Sequence, residues 1–255
     1  MSQRNRMEKR SDLPVNVRRG TWEPWQGLPP KLNTLRYYTP EEQAKIDTSV
    51  QWVVDGLMRK GSVISVCGMP GSYKSFLVLD AALAIANRGK DFLGRPISHG
   101  PVLFISADDG IETVVDRLKM ISIFRTGQAY YDEVYVIDRG AFSLTKDGIQ
   151  DLLHDTLYSL WSEFSEPPAL VVIDTAAMAG MRTEDFGHSV PEDLGWLKPM
   201  ATTWNCCIAL VDHVAKPTKD SINFDVRSRG WGSMMKAGFF EAVWSLERRC
   251  GVVKL

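Results

Sequence analysis

No apolar run in this sequence of 255 residues approaches the roughly 20 residues that cross a bilayer as a helix. The N-terminus also lacks the apolar core of a secretory signal. These absences predict a cytosolic protein with no membrane partner. Cysteine is sparse: Cys67, Cys206, Cys207 and Cys250 are the four present. None forms a C-x-x-C pair and no histidine stands at ligand spacing from one, which argues against zinc. Three of them lie in or beside apolar runs, so the prediction is buried free thiols in a reducing compartment. Net charge is also missing. At −1, the molecule as a whole does not attract nucleic acid, and any basic surface must be local. There is no internal repeat and no low-complexity tract. What remains is ordinary globular composition, 44% hydrophobic and 24% charged, enough for one large α/β domain or two small ones.

Residues 1–38 differ from the rest. The first twenty carry six Arg/Lys against two acids with almost no apolar period, which predicts a solvated, basic N-terminal arm that could touch nucleic acid or a neighbouring subunit. "WEPWQGLPP" follows, an extended segment able to dock its tryptophans. Thr39 to Glu42, "TPEE", reads as a capping box with proline at the first helical position, and predicts a helix to about Ser49. A domain over residues 39–255 follows the arm.

From Ser62 onward, solid apolar runs alternate with helical patterns. "SVISVC", "PVLFISADDG", "VYVID", "ALVVIDT", "CCIALVDH" and "AVWSLERR" read as six strands, with "GVVKL" as a hairpin partner. Between them, "KSFLVLDAALAIANRG" predicts a helix ended by Gly89, and "IETVVDRLKMISIF" another. Ile149, Leu152, Leu153, Leu157, Leu160, Trp161 and Phe164 recur at helical spacing. Residues 190–205 predict a helix interrupted near Pro199. The reading is an α/β fold with a mostly parallel sheet covered by helices on both faces. Ligands in such sheets bind at the carboxyl ends of the strands.

There the chain reads "GMPGSYKSF". Gly68, Lys74 and Ser75 fit the phosphate-loop pattern G-x-x-x-x-G-K-[ST], while Tyr73 replaces the second glycine. The strand–loop–helix context suits the mechanism, in which backbone N–H groups face phosphates. Gly68, Met69, Pro70, Gly71, Ser72, Tyr73, Lys74, Ser75 and Phe76 are therefore the nucleotide-binding candidates. Lys74 would reach the β- and γ-phosphates and Ser75 would ligate Mg²⁺. The expectation for Tyr73 is ordinary helical φ with little strain, the turn itself needing Gly68 and Gly71.

Other strand ends add candidates. Asp174 ends "ALVVID" as a Walker B aspartate does, holding Mg²⁺ directly or through water. Asp108 and Asp109 in "FISADDG" are the candidates to polarise an attacking water, Asp108 the preferred one; a loop acid here also suits the cap of the following helix, a role that fits Asp109. His213 in "LVDHVAK" stands where a γ-phosphate sensor would. The segment from Lys216 to Lys236 has five Lys/Arg and two acids, a basic loop suited to single-stranded nucleic acid. Arg229 within it could act as an arginine finger on the next subunit's nucleotide.

With these stretches assembled, the chain resembles the RecA-like P-loop ATPases, and within them the RepA-type replicative helicases of plasmids and phages. "GLMRKGSVISVCGMPGSYKSF", "VLFISADDG", "ALVVIDT", "LVDHVAK" and "SRGWGSMMKAGFFEAVWSLE" fall in that family's order. The resemblance implies a hexameric ring, ATP and Mg²⁺ at subunit interfaces, single-stranded DNA in the channel, and replication proteins as further partners. It assigns the P-loop pair to Lys74 and Ser75, the Walker B acid to Asp174, the catalytic acid to Asp108, the sensor to His213 and the finger to Arg229. This chain departs from the pattern at Tyr73, at Asp108 (shorter than the usual glutamate) and at Asp212, where a second histidine is common. The resemblance also implies further strands after "VWSLERR". Two other readings share these motifs: a RecA-like recombination or repair ATPase, and a DNA-binding assembly protein with weak hydrolysis. A small-molecule kinase would need an arginine-rich lid that the chain lacks.

Overall fold

The computed structural model describes residues 37–181, 194–213, 239–249 and 252–254. The chain divides into two units, residues 1–48 and 49–255.

In the first unit, helix α1 spans Pro40–Gln43. Its capping box is formed. Thr39 Oγ1 accepts from the Glu42 N–H at 3.2 Å, and Glu42 Oε2 accepts from the Thr39 N–H at 2.8 Å. The helix is much shorter than the expected run to Ser49. All its residues are exposed, so no buried face supports propagation, and a cap alone sustains about one turn.

In the second unit, residues 49–255, a hairpin of β1 (Trp52–Val54) and β2 (Met58–Arg59) precedes the main sheet. The P-loop strand β3 covers Ser62–Gly68 and leads into α2, Lys74–Ala86. A second small hairpin pairs β4 (Asp91–Phe92) with β5 (Arg95–Pro96). Then come β6 (Val102–Ser106), α3 (Ile111–Thr126), β7 (Val134–Ile137), α4 (Ile149–Phe164), β8 (Leu170–Asp174), α5 (Leu197–Trp204), β9 (Cys207–His213), β10 (Ala242–Arg249) and β11 (Val252–Lys254). Neither small hairpin was expected from the sequence.

The main sheet has the order β11-β10-β3-β9-β8-β6-β7. Six strands are parallel and β11 pairs antiparallel to β10 at one edge. Each interior strand sends alternate side chains to opposite faces. Val102 and Phe104 pack with α2 and α3, whereas Leu103 and Ile105 pack with α4 and α5. Leu170 and Val172 follow the first pair, Val171 and Ile173 the second. Both faces are thus covered, and the strands read as continuous apolar runs for that reason. Cys67, Cys206 and Cys207 are free and buried. Burial pushes the Cys67 thiol up to about 11 and the Cys206 thiol up to about 12, keeping both protonated.

Leu194 is helical, residues 195–196 form a turn, and α5 begins at Leu197 with Pro199 in its first turn, where no intrahelical N–H is needed. The helical run is thus broken just ahead of the proline, and residues 190–193 of the expected span lie outside the described residues. One helix expectation changes. α2 stops at Ala86 with Asn87 as its cap, and the left-handed residue beyond is Arg88 at φ 53°, not Gly89. On α4 the buried stripe is Ile149, Leu153, Leu157 and Leu160, while Leu152 and Trp161 are on its outer side. No helix among the described residues is long and apolar enough to cross a membrane.

The α4 register gives a direct check. Leu153→Ala, at a fully buried position, should lower unfolding free energy by about 2–5 kcal/mol. Leu152→Ala, one residue earlier, should change it by no more than about 0.5 kcal/mol. Urea denaturation of the two variants decides whether the stripe is assigned correctly.

Candidate nucleotide site

The register of the parallel sheet brings sequence-distant strand ends into one row. Gly68 of β3 lies beside Leu246 of β10 on one side and His213 of β9 on the other. Val211, two residues before His213, pairs with Asp174 of β8, which in turn pairs with Ser106 of β6. Residues 68, 106, 174 and 213 therefore converge at the carboxyl edge, ahead of the α2 N-terminus.

The loop between β3 and α2 needs two glycines for different reasons. Gly71 has φ 75° with open space around it, so only its conformational freedom matters. At Gly68 a Cβ would stand 2.6 Å from the Leu246 carbonyl oxygen and 2.6 Å from Ser72 Oγ, so a side chain is excluded by contact. Tyr73 corrects the sequence expectation. It is not yet helical: it is the N-cap of α2, at φ 63° and ψ 27°, in the left-handed region. The chain must turn there before the first N–H groups of α2 can face the concave side. A non-glycine residue bears a cost of about 1–2 kcal/mol in that conformation, which the usual glycine would escape. Tyr73 is 49% exposed, and its ring meets Phe76 edge-on, with centroids 6.1 Å apart.

Lys74 is buried, at 4% exposure. Its Nζ donates to the carbonyls of Gly68 at 2.9 Å and Met69 at 3.1 Å, and lies 3.0 Å from His213 Nδ1. An ammonium only donates, so Nδ1 accepts and the imidazole proton sits on Nε2. Partial burial and the neighbouring ammonium hold His213 below its usual range, with Asp108 opposing them. Burial likewise holds Lys74 below its usual range, against the pull of Asp174 and Asp212. Asp212 is completely buried, and its Oδ1 accepts the His213 N–H at 2.8 Å. Its place under the lysine was not foreseen, although an acid inside an otherwise apolar strand was a legible signal.

The two neighbouring aspartates separate cleanly. Asp109 pairs with Arg117, and its carbonyl accepts from Ser106 Oγ at 2.7 Å. It does not cap α3. Gly110 is the N-cap, and Asp138 at the end of β7 accepts from the Ile111 N–H at 2.9 Å. Asp108 is exposed at the edge, on a turn whose N–H groups at 107 and 108 donate to the Asp174 carbonyl at 2.7 and 3.3 Å. Arg229 and residues 216–236 lie outside the described residues, as do residues 1–36.

The profile of a family described as AAA domain matches residues 30–219, well over half of the sequence. The chain belongs to that family. Among solved structures it is similar to the "ATPase Domain of G40P", with TM-score 0.53 and 14% identity over 82% of this chain and 80% of that one. Identity that low speaks to the fold alone. It agrees with the RecA-like α/β P-loop core read from the motifs. No curated protein matches the sequence.

The AAA-domain family implies a nucleotide and usually Mg²⁺, and the donors here fit that ion. Asp174 is buried, and its Oδ1 has no hydrogen-bond partner among the described residues. Its carboxylate also interacts with the Ser75 hydroxyl. No cluster of three or more His, Cys, Asp or Glu able to hold a metal occurs among the described residues. A buried carboxylate beside a serine hydroxyl is the donor set of a hard cation held by one or two protein oxygens, with phosphate and water completing the shell.

Burial pushes Asp174 up to about 6 from the ordinary 3.8; the Ser75 hydrogen bond opposes this and the Asp109 charge adds to it. Between those two values the folded protein binds a proton that the unfolded chain does not. Stability therefore falls as pH rises through that window, and the penalty is complete above about 6. Asp174→Asn removes it. Urea unfolding should find the variant more stable than wild type by up to about 3 kcal/mol at pH 7.5, with the gain gone near pH 4. A variant less stable at pH 7.5 contradicts this account of the site.

Proposed function

We propose that this chain is a Mg²⁺-dependent ATPase that moves on single-stranded DNA as a ring oligomer, a hexamer by resemblance, in the manner of a RepA-like replicative helicase. The observation that carries it is the seat of Lys74. Its buried ammonium stands at the mouth of α2, flanked by two carbonyls and His213 and backed by two aspartates. Residues 39–255 form the ATPase domain in this reading, and residues 1–38 a basic arm.

Positioning and charge neutralisation supply the catalysis. The loop from Gly68 to Phe76 cradles the phosphates with its N–H groups, and Lys74 balances charge on the β- and γ-oxygens. Ser75 and Asp174 would hold Mg²⁺, which lends positive charge to the same oxygens. Asp108, on a turn held by the Asp174 carbonyl, orients the attacking water. His213 senses the γ-phosphate through Nε2–H, since Nδ1 is engaged by Lys74. It stands directly before the basic segment 216–236, so loss of that phosphate changes the grip on DNA. Arg229 acts across the subunit interface.

The decisive measurement is solution mass with ATP, with and without an oligonucleotide, combined with ATP turnover under the same conditions. A ring-sized species whose turnover rises with single-stranded DNA and which displaces an annealed strand supports the reading. Strand exchange without displacement moves the protein to the recombination class. Turnover indifferent to DNA makes it a nucleotide-binding assembly protein.

Asp108→Asn should lower turnover by about 10²–10⁴ while ATP affinity stays within about threefold of wild type. Arg229→Ala should lower turnover by about 10³ or more. Mixing it with Lys74→Ala subunits should restore part of the rate, because some interfaces then combine an intact lysine with an intact arginine. Failure of that rescue excludes action in trans.

A further inference from the structure

Beside the phosphate loop an open groove of about 480 Å³ runs over the outer side of α2, among Tyr73, Phe76, Asp80, Leu93, Met120 and Phe124. Its walls are mostly apolar, and several of them are exposed. Phe124 is 91% exposed, and Leu93, Met120 and Tyr73 about half. The polar groups of the site lie elsewhere: Lys74, His213 and Asp174 converge on the strand ends, whereas the groove begins at the rim formed by Tyr73.

We infer that this groove is the nucleoside subsite, where Tyr73 stacks on the nucleobase and no side chain among the described residues reads its edge. The inference rests on the reading that the Lys74 loop holds the nucleotide's phosphates. Three observations carry it. Tyr73 and Phe76 belong at once to the phosphate loop or first turn of α2 and to the groove wall, so a nucleoside leaving the loop over that rim enters the groove without a gap. The volume suits a small-molecule site, and such sites are mostly apolar and aromatic. Tyr73 also keeps a left-handed backbone that glycine would adopt without strain, and strain retained at a binding loop points to a use for the side chain.

The absence of edge reading has its own argument. Sharp discrimination between ligands requires polar groups that are left unpaired by the wrong one. Among the described residues Asp80 is the charged side chain in the groove wall, and its carboxylate is already engaged by Arg125. Stacking on an aromatic ring tolerates every base, since each has a π-face. The groove therefore adds affinity for the nucleoside with little choice among bases, and purines gain most from their larger area.

Equilibrium binding to the full chain with Mg²⁺ tests this, using ATP, GTP, CTP and inorganic tripolyphosphate. Wild type should bind ATP and GTP within about threefold of each other, and tripolyphosphate at least about tenfold more weakly. Tyr73→Gly should weaken ATP and GTP by about tenfold and leave tripolyphosphate within about twofold, while Tyr73→Phe should behave as wild type. Glycine accepts the left-handed backbone, so the Tyr73→Gly protein should fold, and circular dichroism checks that it does. Unchanged ATP affinity in Tyr73→Gly overturns the subsite, as does a preference for ATP over GTP of a hundredfold, or equal loss of tripolyphosphate. Wild-type protein that binds neither nucleotide nor tripolyphosphate overturns the phosphate-loop reading as well.

Discussion

The site is organised by one buried ammonium. Lys74 cannot sit at the end of β3 at 4% exposure unless acceptors meet it there, because an isolated charge in that position would lose its proton or leave. Two of its acceptors come from the curl of its own loop and the third from His213. The loop must bend back over the strand end, which is why Gly68 has no room for a side chain. β9 must also lie beside β3, and Asp174 and Asp212 must be close enough to favour the charged form. Lysine seat, glycine contact and strand order are consequences of a single requirement.

The sheet meets that requirement through its crossing connections. β3 and β9 are separated by 138 residues between Gly68 and Cys207 by number, yet their registers run together from Ser62↔Cys207 to Gly68↔His213. Because both faces are buried by helices, a slip of one residue would send a whole row of apolar side chains to the wrong layer. The two-faced core therefore fixes where the strand ends stop, and the strand ends fix the site. Two of the acids near the edge are satisfied locally. Asp109 with Arg117 and Asp138 with the α3 N-terminus leave Asp108 as the acid at the exposed edge.

Much of this was legible because buried parallel strands announce themselves as unbroken apolar runs, and six such runs gave the order of elements correctly. The phosphate loop was legible from its letters and its place between strand and helix. What the letters could not carry was conformation and local competition. Tyr73 was read as helical because a side chain argues against left-handed backbone, and the loop's geometry overrode that preference. Asp109 was read as a cap from its position before α3, but Asp138 arrives from a strand 27 residues later and takes the role. Leu152 and Trp161 fit a helical period as well as their buried neighbours do, because a stripe seen in one dimension does not show which edge meets the sheet. The short α1 shows the opposite limit: a well-formed cap specifies where a helix starts, and only packing decides how far it continues.

Tyr73 bears on what a phosphate-loop pattern means. The second glycine is usually taken as a demand of the turn, but here the turn has the left-handed geometry without it. Glycine is therefore the least strained occupant of that position, not the cause of its shape. The shape follows from where Lys74 must be held and from the need to aim the first N–H groups of α2 inward. A side chain at this point is compatible with the loop so long as it leaves on the convex side. Tyr73, half exposed and edge-on to Phe76, lines the apolar groove beside the loop. Substitution of that glycine thus leaves the backbone of the loop standing and changes what lies next to it.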